Sequence, residues 1–167
     1  MHPQSEAIRQ LLLDVTQGMD PAALAQHPEG KWSPAQIVEH LSRTYSATVR
    51  VMQKCVEAGR PTATPPTPYQ RVVAFLVTGV GYFPGGRKAP AFSEPVGLAP
   101  EQVLPEVFAN LSRMDELISQ CEARHGDAIP IADHIILGPL NSAQWRKFHF
   151  LHARHHSRQI SRLRDHN

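Results

Sequence analysis

The chain lacks the features that would assign it to an oxidising compartment or to a membrane. It has only two cysteines, Cys55 and Cys121, which lie far apart in apolar helical patterns. They are predicted to be small buried side chains and not a disulfide framework. The longest apolar run, residues 72–77, is far shorter than the ~20 residues of a membrane-spanning helix. Because no signal-peptide pattern begins the sequence, we expect a cytoplasmic protein with no membrane partner.

An excess of one charge is also missing. The 17 lysines and arginines against 15 acidic residues leave a formal net charge of +2, which does not indicate a nucleic-acid-binding protein. A group of cations does lie between residues 146 and 164, but such a run is usually a solvated helix face. The sequence has no phosphate-binding loop, no glycine-rich dinucleotide motif and no paired catalytic carboxylates. We therefore expect no nucleic-acid partner, and little besides histidine remains to carry chemistry.

Histidine is what the sequence has in excess. The chain has ten histidines, and several of them lie between residues 149 and 156. At helical periodicity one stripe of this region comprises Trp145, Phe148, His149, His152, His156, Gln159, Ile160 and Leu163. Residues four apart on a helix are neighbours, so His152 and His156 can converge on a single metal ion. A buried imidazole also needs a partner, which a metal would supply.

A third candidate ligand lies on an earlier predicted helix. Ser33 and Gln36 have the spacing of a capping box, and Pro34 between them suits the first helical turn. His40 falls on the buried side of this helix, one turn after Ile37. In a helical bundle His40 can lie level with His152 and His156. We therefore predict a triad of His40, His152 and His156.

The apolar pattern predicts a single all-α domain over residues 1–167. It predicts helices over residues 5–17, 21–25, 34–58, 69–82, 100 or 104–125 and 142–163. The connections are a proline-rich stretch at 61–68, a long Pro/Gly-rich loop or lid at 83–100, and an irregular segment at 127–140. No strand or internal repeat is evident. We predict an up-down four-helix bundle with one or two extra short helices.

Two stretches together resemble a known family. Lys31-Trp32-Ser33 followed by Ile37-Val38-Glu39-His40-Leu41, and then the run from His152 to Ile160, resemble the DinB-like superfamily of metal-binding four-helix bundles. The chain looks most like a branch of small bacterial proteins in which a His-Gly-Pro loop, as in residues 134–140, precedes a tryptophan matched by Trp145. The resemblance implies a divalent metal held by His40, His152 and His156. It also implies relatives that act as thiol transferases, thiol-dependent isomerases or hydrolases.

Several residues near the triad have alternative interpretations. His149 and His155 are additions to the family pattern that can supply a fourth ligand or a hydrogen bond to a ligand, and His149 is better placed than His155. Glu39 can orient His40, but a solvated acid is the favoured interpretation. Gln159 can hydrogen-bond a ligand or simply pack in the core. Trp145 and Tyr45 are expected to wall a cleft that is reached past residues 83–100.

The favoured function is that of a metal-dependent enzyme acting on a small molecule. Three neutral imidazoles leave a coordination position open on zinc or nickel, with iron as a further option. Because no carboxylate accompanies His152 or His156, transfer of a low-molecular-weight thiol is slightly favoured over hydrolysis, with Arg87 and Lys88 as candidate carboxylate-binding residues. A metal-dependent hydrolase or a non-catalytic metal- or ligand-binding protein is the alternative. The apolar residues 72–80 predict burial or an interface, with a homodimer as one outcome.

Overall fold

The computed structural model describes residues 1–81 and 89–165, and helices form most of what it describes. The α-helices are α1 (Pro3–Thr16), α2 (Pro21–Ala25), α3 (Pro34–Ala58), α4 (Pro68–Ala74), α5 (Pro100–His125) and α6 (Ser142–Arg164). A π-helical turn, Phe75–Val80, continues α4, and a 3-10 turn occupies Ala91–Ser93. Two short strands, β1 (Ala132–His134) and β2 (Gly138–Leu140), precede α6. The predicted all-α class is therefore confirmed.

Side-chain caps explain why the helices begin where they do. Capping boxes with both reciprocal hydrogen bonds start α3 at Ser33, α4 at Thr67 and α6 at Asn141. The last turn of α3 ends at Gly59, whose φ of 65° favours glycine. These caps fix the residues at which α3 and α6, the two helices that carry the triad histidines, begin.

The four long helices α1, α3, α5 and α6 enclose the core. The most extensive helix pairs are α3 with α5 and α1 with α6. Fully buried apolar side chains from all four helices fill the space between them, including Leu12, Leu41, Met52, Leu111, Ile118 and Ile160. Burial of this shared layer is the main favourable term that holds the bundle together. No described helix combines the length and the apolar composition that crossing a bilayer requires.

A β-hairpin occupies part of the segment that was predicted to be irregular. Strands β1 and β2 pair antiparallel, with Ala132 opposite Leu140 and His134 opposite Gly138. Three-residue strands are too short to produce a recognisable alternation in the sequence, which is why the hairpin was missed. Gly138 has a φ of 74°, and a β-carbon there would lie 2.5 Å from Gln70 Cδ, so the hairpin packs closely against α4.

The apolar helix predicted over residues 69–82 is shorter, and one side of it is exposed. Tyr82 lies outside the described residues, and the π-helical turn ends where Gly81 adopts a φ of 80°. The exposed apolar residues are Tyr69, Val72, Phe75, Leu76 and Val80, while Ala74 and Val77 pack into the core. Of the two predicted explanations for the apolar character, burial within the chain is therefore wrong for this face.

Candidate metal centre

The structure brings three of the predicted histidines together between α3 and α6. His40 Nε2 lies 3.2 Å from His152 Nε2, and His156 Nε2 lies 3.0 Å from the same atom. All three side chains are at most 8 % exposed. Among the described residues, the His, Cys, Asp and Glu side chains that converge closely enough to hold one ion are these three alone. We call His40, His152 and His156 the histidine triad.

Hydrogen bonds on the far side of two rings decide which nitrogen faces the centre. His40 Nδ1 lies 2.8 Å from the Ser93 carbonyl oxygen, which can only accept, so Nδ1 carries the hydrogen. His156 Nδ1 lies 2.8 Å from Gln159 Oε1 and carries its hydrogen for the same reason. The Nε2 atoms of His40 and His156 therefore both present lone pairs to His152 Nε2.

This arrangement is electrostatically incomplete without a cation. His152 Nε2 has at most one hydrogen, which can satisfy only one of the two lone pairs that face it. At least one of the contacts of 3.0 Å and 3.2 Å would then have no hydrogen between its two nitrogens. Metal–nitrogen bonds of about 2.0–2.1 Å at tetrahedral angles place ligand nitrogens roughly 3.3 Å apart. The observed spacings are close to that value, so the triad is compatible with a divalent metal site.

Burial also keeps the triad in the neutral form that metal binding requires. Burial, with a smaller contribution from His40, lowers the pKa of His156 to about 3. Burial and the neighbouring histidines hold the pKa of His152 well below its usual value. Burial lowers the pKa of His40 as well, although the bond to the Ser93 carbonyl opposes this effect. At neutral pH the three rings are uncharged, so no imidazolium has to lose a proton before a metal binds.

Comparison with known proteins assigns the family. The sequence model of the DinB superfamily matches residues 4–160. The chain belongs to the DinB superfamily. Comparisons with curated proteins and with solved structures gave no match. The resemblance of Lys31–Leu41 and His152–Ile160 to this family is thus confirmed over nearly the whole chain.

In this DinB-superfamily member, His149 is not a fourth member of the group. Its ring is fully buried one turn before His152, and its Nε2 lies 3.1 Å from Thr48 Oγ1. Tyr45 and Trp145 pack on that ring at centroid distances of 5.3 Å and 5.9 Å. Both aromatic side chains are buried and surround His149, so they do not wall an open cleft as predicted.

His155 and Gln159 lie behind His156 and not at the centre of the triad. The side-chain amide nitrogen of Gln159 lies 3.1 Å from His155 Nε2, and donation from the amide directs the Gln159 oxygen toward His156. His155 is half-buried, and its ring contacts that of His156 at a centroid distance of 5.1 Å. Gln159 therefore hydrogen-bonds a triad histidine, and His155 orients Gln159.

Glu39 is buried, so the interpretation of this residue as a solvated acid is wrong. Its side chain is 2 % exposed, and its carboxylate accepts hydrogen bonds from the backbone N–H groups of Val96, Gly97 and Leu98. Helical periodicity shows only which residues share a face of α3. It gives no information about the partners of Glu39, which lie almost sixty positions later in the chain. The described part of the predicted lid, residues 89–98, thus lies on the histidine side of the bundle. Arg87 and Lys88 lie outside the described residues.

His134 is a further buried histidine, in a segment that the sequence predicts only as an irregular loop. Its Nδ1 accepts hydrogen bonds from the backbone N–H groups of Ile136 and Leu137, which close the β-hairpin turn. Its ring packs 4.3 Å from that of Phe148 and 5.3 Å from that of Trp145. His134 therefore connects the hairpin to α6 through Phe148, whose ring also stacks on that of His152.

A cavity of about 530 Å³ opens between α4, the hairpin and the start of α6. Gln70, Phe75, Pro139 and Gln144 are among the side chains that line it. Gln144 precedes His152 by roughly 12 Å along the helix. None of the three triad histidines lines this cavity, so we do not assign it to a substrate of the metal centre.

Proposed function

We propose that this protein is a metal-dependent enzyme in which His40, His152 and His156 hold one divalent ion. Zinc and nickel are the favoured ions, with iron as a further option, because imidazole nitrogen suits all three. The observation that carries the proposal is the convergence of three buried Nε2 atoms, two of them fixed as lone-pair donors to a metal by Ser93 and Gln159. Membership of the DinB superfamily supports the proposed metal site, because the resemblance to this superfamily implies a divalent metal held by the same three histidines.

The proposed reaction is transfer of a low-molecular-weight thiol to an electrophile. A divalent ion held by His40, His152 and His156 would keep its full charge, because all three ligands are neutral, and it would promote loss of the proton from a thiol bound to it. The sulfur then bonds to the electrophilic carbon, and the leaving group departs with its electron pair while the thiol proton passes to solvent. No separate general base is needed for this chemistry.

The lack of a free carboxylate close to the triad, among the described residues, favours thiol transfer over hydrolysis. Hydrolysis normally uses a carboxylate or another base within reach of the attacking water. No carboxylate converges with the triad among the described residues. Glu39, the acid beside His40 in sequence, already uses both of its oxygens on the backbone of residues 96–98. A metal-dependent hydrolase and a non-catalytic metal-binding protein are the outcomes that the assay below distinguishes.

Metal analysis tests the binding site directly. We expect purified protein reloaded with zinc or nickel to hold about one ion per chain, measured by plasma mass spectrometry after gel filtration. His152→Ala and His156→Ala should each lose the ion, because two imidazoles bind far more weakly than three. His27→Ala, which removes an exposed histidine, is the matched control and should keep the ion. Full retention in both triad variants would contradict the assignment.

An activity assay then tests the reaction. Metal-loaded protein is incubated with common low-molecular-weight thiols and an electrophile, and product is compared with that of the metal-free protein and of His156→Ala. We expect a metal-dependent rate that the variant loses. Ester or amide hydrolysis without thiol transfer would favour the hydrolase alternative. Stable metal binding without either activity would favour the binding protein.

A further inference from the structure

We propose that Glu39 is a positioning residue that fixes the tautomer and the orientation of His40 through a backbone segment. This inference rests on the proposed metal site, because His40 is one of its ligands. Glu39 binds residues 96–98, and the same segment presents the Ser93 carbonyl to His40. We call residues 93–98 the strap.

The Glu39 carboxylate is built into the fold and is not a surface charge. Its Oε1 accepts from the Val96 N–H at 2.8 Å, and its Oε2 accepts from those of Gly97 and Leu98 at 3.1 Å. A carboxylate that is 2 % exposed remains buried only when its oxygens are satisfied, and here the strap supplies three donors. Gly97 has a φ of 91°, which lets three consecutive N–H groups turn toward one side chain.

The strap is therefore attached to α3 at two adjacent points. Glu39 holds residues 96–98, and His40 donates to the buried Ser93 carbonyl. Just before the strap the chain forms a local turn, in which both the Ser93 N–H and its hydroxyl donate to the Pro90 carbonyl at 2.9 Å. Because the attachments are consecutive on one helix, loosening the strap at Glu39 frees Ser93 to move away from His40.

The consequence concerns the metal ligand and not only the loop. With Ser93 in place, His40 carries its hydrogen on Nδ1 and offers the Nε2 lone pair to the triad. Without that acceptor, the neutral ring exchanges between its two tautomers, and only one of them can bind metal in this geometry. Removing hydrogen bonds behind a metal ligand typically weakens metal affinity by ~10–100-fold. We expect the lower end of that range, because Glu39 acts through the strap.

The variants are chosen so that folding and charge are controlled. Glu39→Gln keeps the shape but replaces one acceptor oxygen with an amide that faces backbone donors. Gly97→Ala loosens the same contact without changing any charge, because its backbone conformation is strained for alanine although no atom lies within 4 Å of the added carbon. Glu57→Gln makes the same chemical change at an exposed position of α3 and is the matched control.

Three measurements test the proposal. Amide hydrogen exchange of residues 96–98 and the imidazole nitrogen NMR shifts of His40 are recorded on metal-free protein, and cobalt(II) is titrated with its visible spectrum as readout. For Glu39→Gln and Gly97→Ala we expect faster exchange, a mixture of His40 tautomers and about tenfold weaker cobalt binding with an altered spectrum. Glu57→Gln should match the wild type in all three.

The outcomes separate this inference from the proposed function. Faster strap exchange with an unchanged His40 tautomer and unchanged cobalt binding would overturn the positioning role, and so would unchanged exchange in both variants. If wild-type protein binds no cobalt, the proposed function fails. A change of His40 tautomer in the metal-free Glu39→Gln variant would still support the positioning of His40 by Glu39.

Discussion

At the scale of single residues, the chemistry of the triad depends on atoms that do not point into it. The Ser93 carbonyl and the Gln159 side-chain oxygen hold the hydrogens of His40 and His156 on their outer nitrogens. Each of these bonds selects the tautomer that can bind a metal and also limits rotation of the ring. The strength of the proposed site is therefore set partly by neutral groups that never contact the ion.

The first prediction concerns Gln159. Gln159→Leu keeps a side chain of similar size but removes the acceptor of the His156 Nδ1 hydrogen. We expect about tenfold weaker zinc binding, since the ring loses its fixed tautomer. Competition with a chromophoric chelator gives the dissociation constant. Arg158→Met, a change at the neighbouring exposed residue, is the control and should bind zinc as the wild type does. Equal affinities of all three proteins would show that Gln159 only packs in the core.

A second prediction uses the two buried histidines outside the triad. Burial, with a smaller effect of His134, lowers the pKa of His149 to about 3, and burial lowers that of His134 to about 4. Below pH 6.5 the unfolded chain takes up protons that the folded chain does not, so the free energy of unfolding falls as the pH falls from 6.5 toward these values. At pH 5 the loss is about 2 kcal/mol for each histidine.

The variant His149→Gln isolates one of these contributions. Glutamine retains a polar group near Thr48 but cannot take up a proton in this range. Urea unfolding of the metal-free proteins at pH 7 and pH 5 should show a loss for the variant that is smaller than the wild-type loss by about 2 kcal/mol. The triad histidines affect both proteins equally and cancel in the comparison. Identical pH dependence would mean that His149 is not desolvated in the folded chain.

The sequence predicts the role of a residue when its partners lie in the same helix, and it fails when the partners lie on a distant segment of the chain. His152 and His156 were recognisable because one helix places them on one face. Glu39 was misjudged because its partners lie on a segment with no periodicity, and a lone carboxylate is usually solvated. His149 has the spacing of a ligand, yet Tyr45 and Thr48 of α3 occupy the space around it. Contacts between distant segments decide these cases, and a single sequence does not contain them.

At the scale of elements, α6 makes different contacts on two of its faces. The histidine stripe faces α3, while Arg146 on another side is 3 % exposed and contacts α5. Its guanidinium lies 2.7 Å from Glu122 Oε2 and donates to Ser119 Oγ at 3.0 Å. It also lies 3.9 Å from Asp115, which in turn accepts from Ser5 of α1. Arg146 therefore links α6 to α5 and, through Asp115, to α1.

Loss of Arg146 should destabilise the bundle without altering the triad. Removing one partner of a buried ion pair leaves the other charge poorly compensated, which costs about 3 kcal/mol when both are buried. Glu122 is 32 % exposed, so we expect about 2 kcal/mol for Arg146→Met, measured by urea unfolding at pH 7. Arg158→Met removes an exposed arginine of the same helix and should change stability little. Similar unfolding midpoints for the two variants would exclude a structural role for this pair.

Helix boundaries were predictable where side-chain caps mark them. The boxes of Ser33 with Gln36 and Asn141 with Gln144 place the starts of α3 and α6 as predicted. The π-helical turn after α4 was not predictable, because its residues have the same apolar pattern as an ordinary helix. The hairpin was missed because its pairing depends on packing against Gln70 and on a glycine conformation, and neither produces a period in the sequence.

At the scale of the whole molecule, the exposed apolar face of α4 and its π-helical turn remains unexplained by the fold. Tyr69, Val72, Phe75 and Val80 are each more than half exposed. Contiguous apolar surface of this kind usually marks an interaction site. The cavity lined by Phe75 and Gln144 opens beside this apolar face, so the surface here is not flat. Self-association through this face, which the sequence suggested, therefore stays a prediction with a defined location.

The last prediction is that the protein is a dimer through this face. Covering Phe75 and Val72 with the same residues of a second copy would remove apolar area from water on both chains at once. In sedimentation velocity at micromolar concentration, we expect a species of twice the 18.6 kDa chain mass. Phe75→Glu places a charge at the centre of the face and should yield the single-chain mass. Leu13→Glu makes the same change at an exposed leucine of α1 and should leave the dimer intact. A wild-type protein that sediments at 18.6 kDa would show that there is no dimer. Dissociation by Leu13→Glu and not by Phe75→Glu would place the interface on another face.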